Sequence, residues 1–429
     1  MSSGNRRPFG SGTLAALVVA NMIGAGVFTT SGFTLADLGS PGRVLAAWVL
    51  GGAIAICGTV GYGALARRLT ESGGEYLFLS RVLHPAAGFV GGWISLIAGF
   101  TGAIAFAAHA FENYVRPADS SLPPDLVAVA VIVVAAAVHA FRARAGAFGQ
   151  NGVVAAKLLV LAVFVGFAVV TWAGDSPSWP VSDPGPFSLS AFAGSLVWIS
   201  LSYSGFNAAI YVAGEARDPG RTVPRAMLWA ALGVTFVYLA LNLVFVGFVP
   251  YADVAGRPDV AFAAASSLLG DAGAKVVRAI VALSLLSSVS SMIMAGPRVF
   301  AKMADDGAFP AALKFRGKVP RAAIMTQAVL AILLVLVSDL RSLLGYLGLT
   351  LSLSAALTVS CLFVLRRRHG PAAIPVTGSV LLPGIYVVAT LALAFLAASR
   401  QPMEWLAAGI TVMSGLAVWW GFHRRGPQV

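Results

Sequence analysis

Charge is what this sequence has least of. Only 11% of its 429 residues are Asp, Glu, Lys or Arg, less than half of the ~25% usual in a soluble domain. Cysteine is almost missing. Cys57 and Cys361 both fall inside apolar runs, which excludes a disulfide framework and a cysteine-based zinc site. The five histidines lie mostly at the ends of such runs, and no acidic cluster accompanies them. Paired histidines for haem, metal-spaced acids and a buried nucleophile with a base are therefore wanting, which argues against an embedded enzyme or redox subunit. No cofactor and no metal are expected. The net charge of +12 does not indicate nucleic acid, because the basic residues are spread between loops rather than gathered on one domain.

What remains is hydrocarbon: 58% of the residues are hydrophobic and the mean hydropathy is +0.84. A bilayer-spanning helix takes roughly 20 mostly apolar residues, and runs of that kind recur along the chain. Twelve spans are expected, near 12–36, 42–66, 85–114, 125–141, 152–173, 188–215, 226–249, 273–300, 322–338, 342–365, 376–398 and 403–422. Arg6 and Arg7 before the first run resemble a signal-peptide start, but the run reaches past residue 30, too long for a cleaved segment. With both termini on the cytoplasmic side, inside loops hold 21 of the 29 Lys and Arg residues and outside loops seven, while Lys157 falls within a span. That bias obeys the positive-inside rule and is expected of a multi-pass membrane protein with both termini cytoplasmic. The stretch 258–270 is apolar but too short to cross, and reads as an outside re-entrant or interfacial hairpin.

Two spans are interrupted at matching places. "NMIGAGVFTTSGF", residues 21–33, sets Gly24 and Gly26 inside the first; "SLSYSGFNAAIYVAGE", residues 200–215, sets Ser202, Ser204, Gly205 and Asn207 inside the sixth. Each is the first helix of a five-helix block, and five crossings separate them, so the blocks have opposite orientation. Paired Gly-interrupted spans in two such halves point to a secondary transporter built on inverted repeats. A broken helix exposes amides at the start of its second half and carbonyls at the end of its first. The amide end attracts a carboxylate and the carbonyl end an ammonium. Two facing breaks thus form a receptor for a zwitterion. The competing reading of the glycines is tight helix packing.

Three segments carry a family resemblance: "NMIGAGVF", "YSGFNAAIYVAGEARDPGRTVPRA" (203–226) and "GPRVFAKMADDGAFP" (296–310). Together they resemble the amino acid–polyamine–organocation transporter superfamily, nearest to bacterial relatives of the light subunits of heteromeric amino acid transporters. The resemblance implies an all-α leucine-transporter fold: a first repeat at 12–173, an inverted second repeat at 188–365, and two additional helices at 376–422. It implies that the break at Gly24 presents the amides of Ala25 and Gly26 to the substrate carboxylate. Carbonyls of Met22, Ile23, Leu201, Ser202 and Ser204 would hold the ammonium. Phe206 stands where the family has an aromatic that gates the outer side, and Asn207 at a common polar position beside it. Leu201 departs from an aromatic seen in many members, and Gly214 replaces the first acid of a frequent pair, leaving Glu215.

Lys157 lies two turns inside the fifth span, about 8 Å from the inner surface at 1.5 Å per residue. An ionisable residue at that depth is a functional candidate, snorkelling being its ordinary alternative. The resemblance implies that its ammonium bridges the fifth span to the break in the first and to the eighth span near Ser288, in place of sodium. The expected activity is sodium-independent transport coupled to protons or to exchange. The spans that should line the pocket contain no clear Asp or Glu, and Glu112 and Glu215 lie near helix ends. A cationic side chain would need a buried anion, so neutral amino acids are the expected substrates. A carrier of amines, polyamines or another small nitrogenous metabolite on the same scaffold is the alternative. No outside cysteine is present for a covalent partner.

Overall fold

The computed structural model describes residues 9–116, 120–141, 150–172, 185–305, 307, 309–314, 320–372 and 374–423. Of the inside charges counted above, Arg6, Arg7, Arg142, Arg144, Arg316, Lys318, Arg424 and Arg425 lie outside the described residues. Among the described residues the chain is helical. The one strand-type contact is an isolated bridge between Phe9 and Ala216, in which the Phe9 amide donates to the Glu215 carbonyl (3.3 Å) and the Arg217 amide to the Phe9 carbonyl (2.9 Å).

In chain order the helices are α1 (Ser11–Met22), α2 (Ala25–Leu38), α3 (Pro41–Arg68), α4 (Gly74–Val82), α5 (Pro85–Val115), α6 (Leu126–Phe141), α7 (Gln150–Trp172), α8 (Leu189–Tyr203), α9 (Pro219–Gly247), α10 (Val260–Asp305), α11 (Arg321–Val337), α12 (Leu340–His369), α13 (Leu381–Ala397) and α14 (Pro402–His423). Among the described residues, seven helices, or eight counting α1 with α2, are long and apolar enough to cross a membrane, and four shorter ones are apolar. Each of the twelve expected runs coincides with helix. The starts follow local chemistry. Proline occupies the first turn of α3, α5 and α9, where its missing N–H costs no hydrogen bond. Asp339 caps α12 by accepting from the amides of Arg341 (2.9 Å) and Ser342 (3.0 Å).

Two features were not expected. The apolar stretch near 258–270 is one short helix rather than a hairpin: α10 begins at Val260 and turns at Gly270 (φ 65°) into its long second part. Between the second and third spans the chain forms α4, whose Glu75, Leu77, Phe78 and Leu79 are buried. Helix α3 packs along α9, α5 along α10, α6 along α11, and α2 against α8. The outward faces of α9, α11 and α13 carry large apolar side chains such as Phe236, Val337 and Phe395, each about three-quarters exposed. A water-facing surface would not carry so continuous an apolar belt, whereas lipid suits it. The molecule is a multi-pass membrane protein.

Candidate functional site

Both interruptions are real breaks. Helix α1 ends at Met22 and α2 starts at Ala25, the two bent by 41°. At the break the Gly24 amide donates to the Met22 carbonyl (2.8 Å). Helix α8 ends at Tyr203, the backbone turns through Gly205 at φ 96°, and a 3₁₀ segment continues over Ala208–Glu215. Only glycine adopts that φ without strain.

The breaks face one another. A Cβ on Gly205 would meet the Asn21 carbonyl carbon and oxygen at 2.9 Å, and one on Gly26 would meet the Ser202 Cα at 2.7 Å. From α9 the Tyr238 hydroxyl reaches between them, 2.5 Å from the Met22 carbonyl and 2.9 Å from the Ser202 carbonyl. From α7 the Lys157 ammonium donates to the Ile23 carbonyl. Ser288, on α10, donates to the Ser284 carbonyl of its own helix (3.1 Å).

Beside the breaks lies a cavity of about 890 Å³, well within the size range of small-molecule sites. Leu201, Ser204, Gly205, Phe206 and Asn207 line it from the second break, and Leu17 and Asn21 from α1. Met22, Ile23, Gly24, Ala25, Gly26 and Ser202, all expected to bind substrate, do not reach its wall. They lie behind it, where Ser202 fills the space over Gly26 and Tyr238 occupies the carbonyls. Leu201, Ser204, Phe206 and Asn207 are at the wall.

The cavity extends to exposed Glu71 and Arg81, on the side where α3 ends in Arg67 and Arg68. The opposite side is sealed. Thr30 and Ser202 share a hydrogen bond (3.0 Å). Phe33 meets Trp198 edge-on at 6.5 Å, and Arg341 lies 4.8 Å from the centre of the Trp198 ring while pairing with Asp37 at 2.6 Å. Phe206 is not part of this seal. It packs edge-on to Tyr62 (5.5 Å) and Tyr386 (6.3 Å), nearer the arginine-rich end of α3, because the turn at Gly205 carries it to that side of the break.

One functional candidate escaped the sequence. Glu75, from α4, is buried at the cavity wall, which corrects the expectation of a pocket without an acid. Its signal was the "SGGEY" run after the second span: Gly74 takes φ 60°, and a Cβ there would enter the Tyr211 ring at 2.2 Å. That close approach tucks α4 under the 3₁₀ segment and brings Glu75 inward. Tyr238 was missed too, since a lone hydroxyl in an apolar span carries no motif.

The family described as "Amino acid permease" matches residues 9–422. "Large neutral amino acids transporter small subunit 2" of Homo sapiens is 27% identical over 402 residues, covering 89% of this chain and 74% of the relative. "b(0,+)-type amino acid transporter 1" of Mus musculus is 26% identical over 423 residues, 95% of this chain and 86% of the relative. "Asc-type amino acid transporter 1" of Homo sapiens is 25% identical over 428 residues, 96% and 82% respectively. These relatives are transporters, not enzymes.

Proposed function

Since the chain belongs to the amino acid permease family, we propose that it is a secondary active carrier of neutral L-amino acids working by alternating access. The observation that carries this reading is the pair of helix breaks meeting beside a cavity that is sealed on one side. The unwound backbone of the second break reaches the cavity wall at Leu201, Ser204 and Gly205, and backbone released by a break recognises a zwitterion without a charged side chain. Among the described residues the acid buried at the cavity wall is Glu75, which already accepts from Tyr62, Asn207 and Ser354. It therefore has little capacity left for a cationic side chain, which favours neutral substrates.

The proposed scaffold is the twelve-span leucine-transporter fold, with repeats at 12–173 and 188–365, two further helices at 376–422 and both termini cytoplasmic in a bacterial-type inner membrane. The packing supports it. The second span pairs with the seventh (α3 with α9), the third with the eighth (α5 with α10) and the fourth with the ninth (α6 with α11), as two repeats related by a two-fold axis would. The carrier is proposed to be sodium-independent, since the Lys157 ammonium already sits on the Ile23 carbonyl at the first break. Its cycle runs by proton coupling or by substrate exchange. The cysteines, Cys57 and Cys361, are buried, so it is proposed to act without a disulfide-linked partner.

Reconstitution in proteoliposomes tests this. Uptake of radiolabelled alanine or leucine is expected without sodium, driven by a pH gradient or by amino acid loaded on the opposite side. Strict dependence on sodium would refute the coupling. Competition by arginine or putrescine alone would transfer the assignment to cationic substrates.

A further inference from the structure

Glu75 gathers three donors from three parts of the fold. Its Oε1 accepts from the Tyr62 hydroxyl of α3 and from Asn207 Nδ2 (3.2 Å) at the second break. Its Oε2 accepts from the Ser354 hydroxyl of α12 (2.9 Å). Glu75 and Asn207 both line the cavity. An ionised carboxylate only accepts, whereas a side-chain amide both donates and accepts and can present either end. The carboxylate therefore dictates which way the amide of Asn207 faces: nitrogen to Glu75, oxygen free for a ligand. Tyr62 and Ser354 fix the carboxylate in turn.

We propose that Glu75 is a positioning residue for substrate recognition, holding Asn207 so that its Oδ1 adds an acceptor to the second break for the ammonium of the bound amino acid. This rests on the carrier reading given above. It gives a buried acid a role other than pairing with a cationic side chain, and it assigns α4, outside the spans, to the binding site. A glutamine at position 75 offers either an N–H₂ or an oxygen to Asn207, and so releases the orientation while keeping size and shape.

The test compares initial rates of L-alanine and L-leucine uptake by the full-length protein in proteoliposomes, for wild type, Glu75→Gln, Glu75→Asp and Tyr62→Phe. Glu75→Gln is expected to raise KM about tenfold, as for the loss of one charge-assisted hydrogen bond, with Vmax little changed. Glu75→Asp should recover most of the affinity, and Tyr62→Phe should raise KM less, in the same direction. An unchanged KM in Glu75→Gln, a defect confined to Vmax, or an aspartate variant as impaired as the glutamine one overturns the inference while leaving the carrier reading intact. Where Glu75→Gln does not yield folded protein by size exclusion, Tyr62→Phe decides, and a wild-type KM in it is likewise fatal. Absence of uptake by the wild type overturns the carrier reading and this inference together.

Discussion

Tyr238 and Gly26 hold the two breaks together by opposite means, one by filling space and the other by leaving it. The Tyr238 hydroxyl serves the carbonyls of Met22 and Ser202 at once. Tyr238→Phe removes the single hydroxyl proton that these two carbonyls share, the Met22 carbonyl keeping the Gly24 amide, at a cost of about 1–3 kcal/mol. The expected outcome is a lower melting temperature in detergent and a lower transport rate. At Gly26 even one added methyl group meets Ser202 Cα at 2.7 Å. That Cα is backbone of α8 and cannot yield, and the Ser202 Cβ follows at 2.9 Å. Gly26→Val should therefore cost about 1–3 kcal/mol as overpacking does, and should abolish uptake; wild-type rates in that variant would show that α2 and α8 do not meet there during the cycle.

At the scale of elements, the interruptions were legible because glycine and serine clusters recur at corresponding places in two spans, which helix packing alone does not require, and both breaks fall where "GAG" and "SYSGFN" stand. The spans were legible for the same reason of solvent. The wall of the cavity was less so. Residues 22–26 share a sequence neighbourhood with the break, yet their exposure is decided by Tyr238 and Ser202, which arrive from other helices. The place of α4 depends on how Gly74 meets Tyr211, and no local pattern announces that contact. Helix α12 offers a direct test of local chemistry. Burial opposes ionisation of Asp339, but its bonds from the amide and hydroxyl of Ser342 and from the Arg341 amide outweigh it, holding its carboxyl below the ordinary value of 3.8. A carboxyl with a lowered folded-state value stabilises the fold fully above its unfolded value and progressively less as pH falls through the folded one. Asp339→Ala is expected to cost roughly 1 kcal/mol at neutral pH. The gap in melting temperature from wild type should close in strongly acidic buffer.

Across the whole molecule the seal opposite the cavity is thin. Its charged part is the Arg341–Asp37 pair, with the guanidinium half-exposed, and the cation lies over Trp198 and Phe33. Contacts of these kinds contribute on the order of 1 kcal/mol each, little enough to be broken in every cycle. Arg341→Ala should therefore shift the protein toward a state open on that side. In a background lacking Cys57 and Cys361, a cysteine at Thr30, buried in the seal, should react faster with an impermeant maleimide once Arg341 is removed. Equal rates with and without Arg341 would place the closure elsewhere.

The small bridge between Phe9 and Ala216 bears on how such a molecule can move. It ties the approach to α1 to the far end of the 3₁₀ segment, so the half-spans on the cavity's open side are yoked at their tips as well as joined at Gly205 and Asn21. Two backbone hydrogen bonds and that close approach favour the pair travelling as a single paddle when that side shuts, the two interrupted spans keeping step.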